Sequence, residues 1–181
     1  MRRLMLLRHA KTETDAPSGK DFDRRLDDRG RADATLIGGW LNSHPPHPDM
    51  VCVSAAMRTR QTWDLVAAAM PSNKPTVEHV EELYGAGLEE LVAVIRDAAV
   101  QDPRRLMLIG HNPGLHEMAL GLIRDGSQGG DAAGRKALSE NLPTGSIAVI
   151  DFAVDSWNDI SFRSGTLVKY TSPKLLNDIG Q

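Results

Sequence analysis

Four residues in this chain have side chains suited to chemistry on an anion: Arg8 and His9 side by side, Arg58, and His111. Two guanidiniums and two imidazoles make a poor zinc site, because zinc takes three or four His, Cys or carboxylate ligands and the arginines would repel it. They suit a dianion. Arginine forks hold phosphate-type oxygens bidentately, and an imidazole can donate a hydrogen bond or attack. The four act together only if the fold brings them to one place.

Each of them follows an apolar run. Leu4 to Leu7 breaks straight into Arg8-His9, Met50 to Val53 into Ser54 with Arg58 four residues on, and Leu106 to Ile109 into Gly110-His111-Asn112-Pro113-Gly114. Runs of this form read as strands of a covered parallel sheet. In open α/β sheets the ligand crevice lies beyond the carboxyl ends of the strands, so right-handed crossovers that make these three strands neighbours would gather all four side chains. Lys11 to Asp28, with Pro17, Ser18 and Gly19, reads as a long loop over the mouth of that crevice. Asp27 or Asp28 then caps a helix from about Arg29 to Asn42. Ser54 reads as the N-cap of a second helix, carried by Trp63, Leu65, Val66 and Ala69, which stops before Pro71. Arg58 falls in its first turn, where the helix dipole favours negative charge, and a bound anion would resolve that conflict.

Thr76 to Val80 reads as a third strand, Glu81 to Gly85 as a loop, and Leu88 to Val100 and Leu115 to Ile123 as helices. Asp125 to Glu140, rich in Gly, Ala and Ser, reads as a mobile surface excursion with a short helix near Arg135 to Leu138. Pro143 to Ser146 makes a turn into the strand Ile147 to Phe152. Ile160 to Arg163 and Leu167 to Tyr170 add a final strand or hairpin about Ser164-Gly165. The class is α/β.

A length of 181 residues matches one domain spanning 1–181. A hydrophobic share of 41% and a charged share of 25% sit at globular values and argue against disorder or a membrane protein. The net charge of −3 argues against a general nucleic-acid binder. Cys52, inside the run Met50 to Val53, reads as a small core residue, and a lone cysteine forms no disulfide within the chain. His44 and His47, among prolines, read as solvated loop residues rather than metal ligands. No apolar stretch is long enough to span a bilayer and no cleavage pattern follows Met1-Arg2-Arg3, so the expected location is cytoplasmic. Nothing in the pattern sets an oligomeric state.

Four blocks taken together resemble the histidine phosphatase (phosphoglycerate mutase-like) superfamily: Leu7 to Lys11, Asp23 to Ala34, Ser54 to Thr62, and Gly110 to Leu115. They stand in family order across Leu4 to Leu115, and within the superfamily the chain is most similar to the small phosphohistidine phosphatases of the SixA type. Ala10 stands where the superfamily most often has Gly, as it does in that branch. The resemblance implies a three-layer α/β/α sandwich whose central sheet is mostly parallel with an antiparallel edge strand. It also implies that His9 is the nucleophile that becomes phosphorylated, that Arg8 and Arg58 bind phosphoryl oxygens, and that His111 is the second histidine of the pocket. Glu81, shortly before Tyr84-Gly85, matches the placement of the general acid in larger members, with Glu82 as the alternative. No cofactor and no metal would be needed. The implied substrate is phosphohistidine on a protein or a small phosphomonoester; a phosphoglycerate mutase or a non-catalytic phospho-ligand binding module are the other readings.

Overall fold

The structure is a computed structural model and describes residues 1–126 and 130–179. Its strands are β1 (Arg2–Arg8), β2 (Met50–Ser54), β3 (Thr76–Val80), β4 (Arg105–Gly110), β5 (Ile147–Phe152) and β6 (Thr166–Thr171). The helices are α1 (Asp28–Asn42), α2 (Met57–Ala68), α3 (Leu88–Ala98), α4 (Gly114–Leu122), α5 (Ala132–Glu140) and α6 (Pro173–Ile179). One sheet holds all six strands in the order β3-β2-β4-β1-β5-β6. The first four run parallel, β5 runs antiparallel to β1, and β6 pairs antiparallel with β5 at the edge.

The apolar runs are continuous because both faces of the sheet are covered. Successive side chains of a strand point to opposite faces. Leu4, Leu6, Leu106 and Leu108 join a core with Ile95 of α3 and Met118 of α4. Met5, Leu7, Met107 and Ile109 join the opposite core with Ile37 of α1 and Val66 of α2. The result is the three-layer α/β/α sandwich. β4 lies between β1 and β2, with Arg8 level with Gly110 and Val53 level with Ile109, so the three strand ends that carry the candidate residues finish side by side.

α1 begins where its acids required: Asp27 is the N-cap and its Oδ1 accepts the Gly30 N–H at 2.7 Å. Gly30 also allows the helix to sit against the chain just past His9, since a Cβ there would lie 1.9 Å from the Lys11 carbonyl oxygen. The preceding loop is irregular as expected, apart from a bridge between Thr12 and Leu26 and a single 3-10 turn over Asp21–Asp23.

Three expectations need correction. Ser54 does not cap α2: β2 extends through it, and the N-cap is Ala56, whose own side chain makes no capping bond. The stretch Asp125 to Glu140 is no loose excursion where it is described, because α5 occupies Ala132–Glu140, capped by Asp131 and anchored by buried Gly134 and Leu138; residues 127–129 lie outside the described residues. Ile160 to Arg163 forms no strand. The chain there follows a 3-10 turn at Trp157–Asp159 whose buried indole donates to the Pro103 carbonyl at 2.5 Å, and the final strand is β6, on the edge of β5. Beyond these, α6, for which the sequence offered no reading, follows β6 and packs Leu176 against the α1/α2 core; it is too short to show periodicity. Among the described residues no helix is long and apolar enough to cross a membrane.

Candidate active site

Arg8 is the last residue of β1 and His9 the next; His111 follows β4; Arg58 stands in the first turn of α2. The His9 N–H donates to the Gly110 carbonyl at 3.1 Å, which ties the two strand exits together. The rings of His9 and His111 lie 5.4 Å apart, tilted by 52°. His9, Arg58 and His111 are buried, and Arg8 is half-buried. The loop that leads into β5, the strand next to β1, braces this group: Arg8 Nη1 donates to the Leu142 carbonyl at 3.1 Å, and the Gly145 N–H donates to the His9 carbonyl at 2.9 Å. The fold therefore brings together all four residues that the sequence singled out first.

Their protonation follows from their partners. His9 Nδ1 lies 2.7 Å from the Ala10 carbonyl oxygen. A carbonyl only accepts, so Nδ1 carries the proton and Nε2 keeps the lone pair. Burial drives the His9 pKa from 6.5 down to about 3 against that hydrogen bond, with His111, Arg58 and Arg8 adding to the fall. Burial and then Arg58 bring His111 to about 4. Both rings are neutral at pH 7. The Arg8 guanidinium is shifted down by burial and by Arg58, the cost of placing two cations together. Arg8 Nε, Arg58 Nε and His111 Nδ1 are buried with no partner among the described residues. Unpaired buried donors of this kind cost about 1–3 kcal/mol each. A tetrahedral oxyanion is the ligand that offers acceptors to several donors at once.

The outer wall comes from loops. Asp21, in the 3-10 turn of the long loop, accepts from Arg58 Nη1 at its carbonyl (2.8 Å) and from Nη2 at its carboxylate (3.1 Å). The Tyr84 hydroxyl donates to the same carboxylate at 2.6 Å. That bond, and then Arg58, hold the Asp21 carboxyl down at about 2. The Tyr84 ring lies 5.5 Å from His111 and 5.0 Å from Phe22, both edge-on, and the Arg58 guanidinium sits 5.7 Å from its centre. Phe22, Tyr84 and Met57 leave exposed apolar surface. Glu81 and Glu82 are exposed, and neither carboxylate bonds a described residue. On the other side of the 141–145 loop, a groove of about 630 Å³ runs past Lys11, Arg29, Asp33 and Thr144 towards α6.

Sequence reasoning missed Asp21, whose loop was recognised but whose register within it has no periodic signal. It also misassigned Ser54, whose Oγ lies 2.7 Å from His111 Nε2. Among the described residues no three His, Cys, Asp or Glu side chains are grouped to hold a metal ion.

Comparison with known proteins bears on the family and the fold. Residues 4–113 match the model of the histidine phosphatase superfamily (branch 1). An uncharacterised protein of Mycobacterium leprae is 33% identical over 173 residues, covering 93% of this chain and 100% of that one. The solved structure of a Nakamurella multipartitia protein provisionally named phosphohistidine phosphatase SixA is similar at 30% identity and a TM-score of 0.78, covering 95% of this chain and 96% of that one. An Agrobacterium tumefaciens protein with the same provisional name is similar at 30% identity and a TM-score of 0.76, covering 95% and 98%.

Proposed function

The chain belongs to the histidine phosphatase superfamily, branch 1, and from that premise we propose that it is a metal-independent phosphatase working through a phosphohistidine enzyme intermediate. The observation that carries the reading is the His9 imidazole: neutral, buried, its Nδ1–H held by the Ala10 carbonyl and its Nε2 free to attack. In the first step Nε2 forms a bond to phosphorus while the bond to the leaving group breaks and that group takes a proton. In the second, water attacks the phosphorus, the P–Nε2 bond returns its electron pair to His9, and inorganic phosphate departs with loss of one proton. Arg8, Arg58 and His111 hold the equatorial oxygens, where charge accumulates. Pinning the ring by a backbone carbonyl means that no reorganisation is needed before attack.

The substrate is phosphohistidine on a protein or a small phosphomonoester. The two SixA-named neighbours support the first of these. So does the state of the outer wall, since an imidazole leaves with little proton assistance whereas an alkoxide requires an acid. Glu81 supplies that acid where one is needed. Incubation with phosphohistidine peptides, an aryl phosphate and alkyl phosphates, each with and without EDTA, tests the proposal. Turnover led by the phosphohistidine peptide and indifferent to EDTA is expected; loss of activity with the chelator, restored by one metal, would overturn the metal-free mechanism.

A further inference from the structure

Ser54 ends β2 fully buried, with its Oγ 2.7 Å from His111 Nε2 and 3.5 Å from the Ala56 backbone nitrogen. A neutral imidazole has one proton for two nitrogens, so the pair has two arrangements. In one, His111 Nε2–H donates to Ser54. The serine proton then lacks an acceptor, because among the described residues its oxygen makes no other bond than these, and Nδ1 turns a lone pair towards any phosphoryl oxygen. In the other, the Ser54 hydroxyl donates to Nε2, its oxygen accepts the Ala56 N–H, and Nδ1 carries the proton. The first arrangement leaves both the serine proton and Nδ1 without a partner, whereas the second leaves Nδ1 alone unpaired and makes that buried nitrogen of His111 a donor.

We infer that Ser54 is a positioning residue that fixes His111 in its Nδ1–H tautomer, so that this ring meets the phosphoryl group as a neutral hydrogen-bond donor rather than as a base or a cation. The two histidines then share a tautomer and use it oppositely. In His9 the Ala10 carbonyl occupies Nδ1–H and leaves Nε2 to attack; in His111 the serine occupies Nε2 and leaves Nδ1–H to bind oxygen. The role in binding rests on the reading of this pocket as a phosphoryl site.

Nitrogen-15 NMR of the free protein at pH 7 tests the tautomer without any turnover. His111 is expected to show a protonated Nδ1 and a bare Nε2, and the reverse pattern overturns the inference. Inorganic phosphate then probes the consequence. Ser54→Ala should weaken its binding about 2- to 10-fold, as the competent tautomer falls to half of the population or less. Asn presents an amide N–H where His has Nδ1, whereas Gln presents one near Nε2. His111→Asn should therefore bind phosphate within a few-fold of the parent and His111→Gln about 10- to 100-fold more weakly, the scale of one hydrogen bond to a charged group. Ser54→Ala should add nothing to His111→Asn. An equal cost in that background, or Gln outperforming Asn, would remove Ser54 from the pocket's machinery. Should the protein bind phosphate with the expected tautomer yet hydrolyse no phosphorylated compound, the tautomer assignment stands and the phosphatase reading falls.

Discussion

The inner half of the pocket and its outer half are made of different material. Arg8, His9 and His111 leave the ends of adjacent strands and Arg58 the first turn of a helix, and all four are buried or half-buried. Asp21, Phe22, Glu81 and Tyr84 sit on or beside single 3-10 turns and are exposed. Transition-state charge on a phosphoryl group is the same whatever the substrate, so its binding groups gain from a rigid frame. Leaving groups vary, and loops are the part of a fold that tolerates such variation. The inner half should therefore control whether any phosphoryl transfer occurs, and the outer half which leaving groups depart.

The largest effect should come from the inner half. His9→Ala should lower turnover of every substrate by about 10⁴- to 10⁶-fold, the scale seen when a covalent nucleophile is removed. Acid-labile phosphate, trapped on the parent protein by quenching with labelled substrate, should be missing from the variant. Label remaining on His9→Ala would move the nucleophile elsewhere and break the division at its centre.

Next come two variants whose contrast sharpens the division. Glu81→Gln should slow hydrolysis of an alkyl phosphate by about 10²- to 10⁴-fold, the usual scale of acid catalysis, and of a phosphohistidine peptide by only a few-fold. Arg58→Ala should cost both substrates about 10²- to 10³-fold alike, because it removes a donor to the shared phosphoryl group. Small, equal effects of Glu81→Gln would leave Glu81 as a solvated acid and pass the test to Glu82.

The same contrast explains what was legible in the sequence. Arg8, His9 and His111 could be placed because an apolar run covered on both faces has only one kind of home, and the parallel topology puts its exit at the crevice. Arg58 could be placed by its position in the first helical turn. Asp21 could not, since a loop of eighteen residues carries no register from which to tell which of its acids turns inward. Ser54 was misread because N-cap preference is a local rule, while its partner lies 57 residues away, just past the end of β4. α5 was underestimated because only Gly134 and Leu138 of its nine residues are buried, too few to make a stripe. Local chemistry was readable wherever a strand or helix transmitted it and unreadable wherever only tertiary contact decided it.

Protonation offers a subtler probe of the inner half. His9 and His111 titrate at about 3 and about 4 when folded, below the ordinary 6.5. Between those values and 6.5 the unfolded chain binds more protons than the native one, so stability rises with pH across this window and is lost as pH falls through it. Both rings should stay neutral at pH 5 in an NMR titration of the free protein, and denaturant midpoints should fall from pH 6.5 to pH 4. Replacing His111 by Asn should flatten part of that slope. Ring midpoints near 6.5 would mean that water reaches the pair, and the buried half would not be dry.

The smallest effect belongs to the ion pair that joins the halves. Asp21 holds Arg58 through its carbonyl and its carboxylate, so an incoming phosphoryl group competes with the Asp21 carboxylate for one arm of the guanidinium. That carboxylate is about half exposed, which places the pair on the weak scale of solvated ion pairs. Asp21→Asn keeps the backbone contact and removes the charge. Inorganic phosphate should then inhibit about 2- to 5-fold more strongly, and the gain should vanish in an Arg58→Ala background if Arg58 is its route. Weaker inhibition would reverse the assignment: Asp21 would be holding Arg58 in its productive pose, and the outer loop would belong to the phosphoryl half after all.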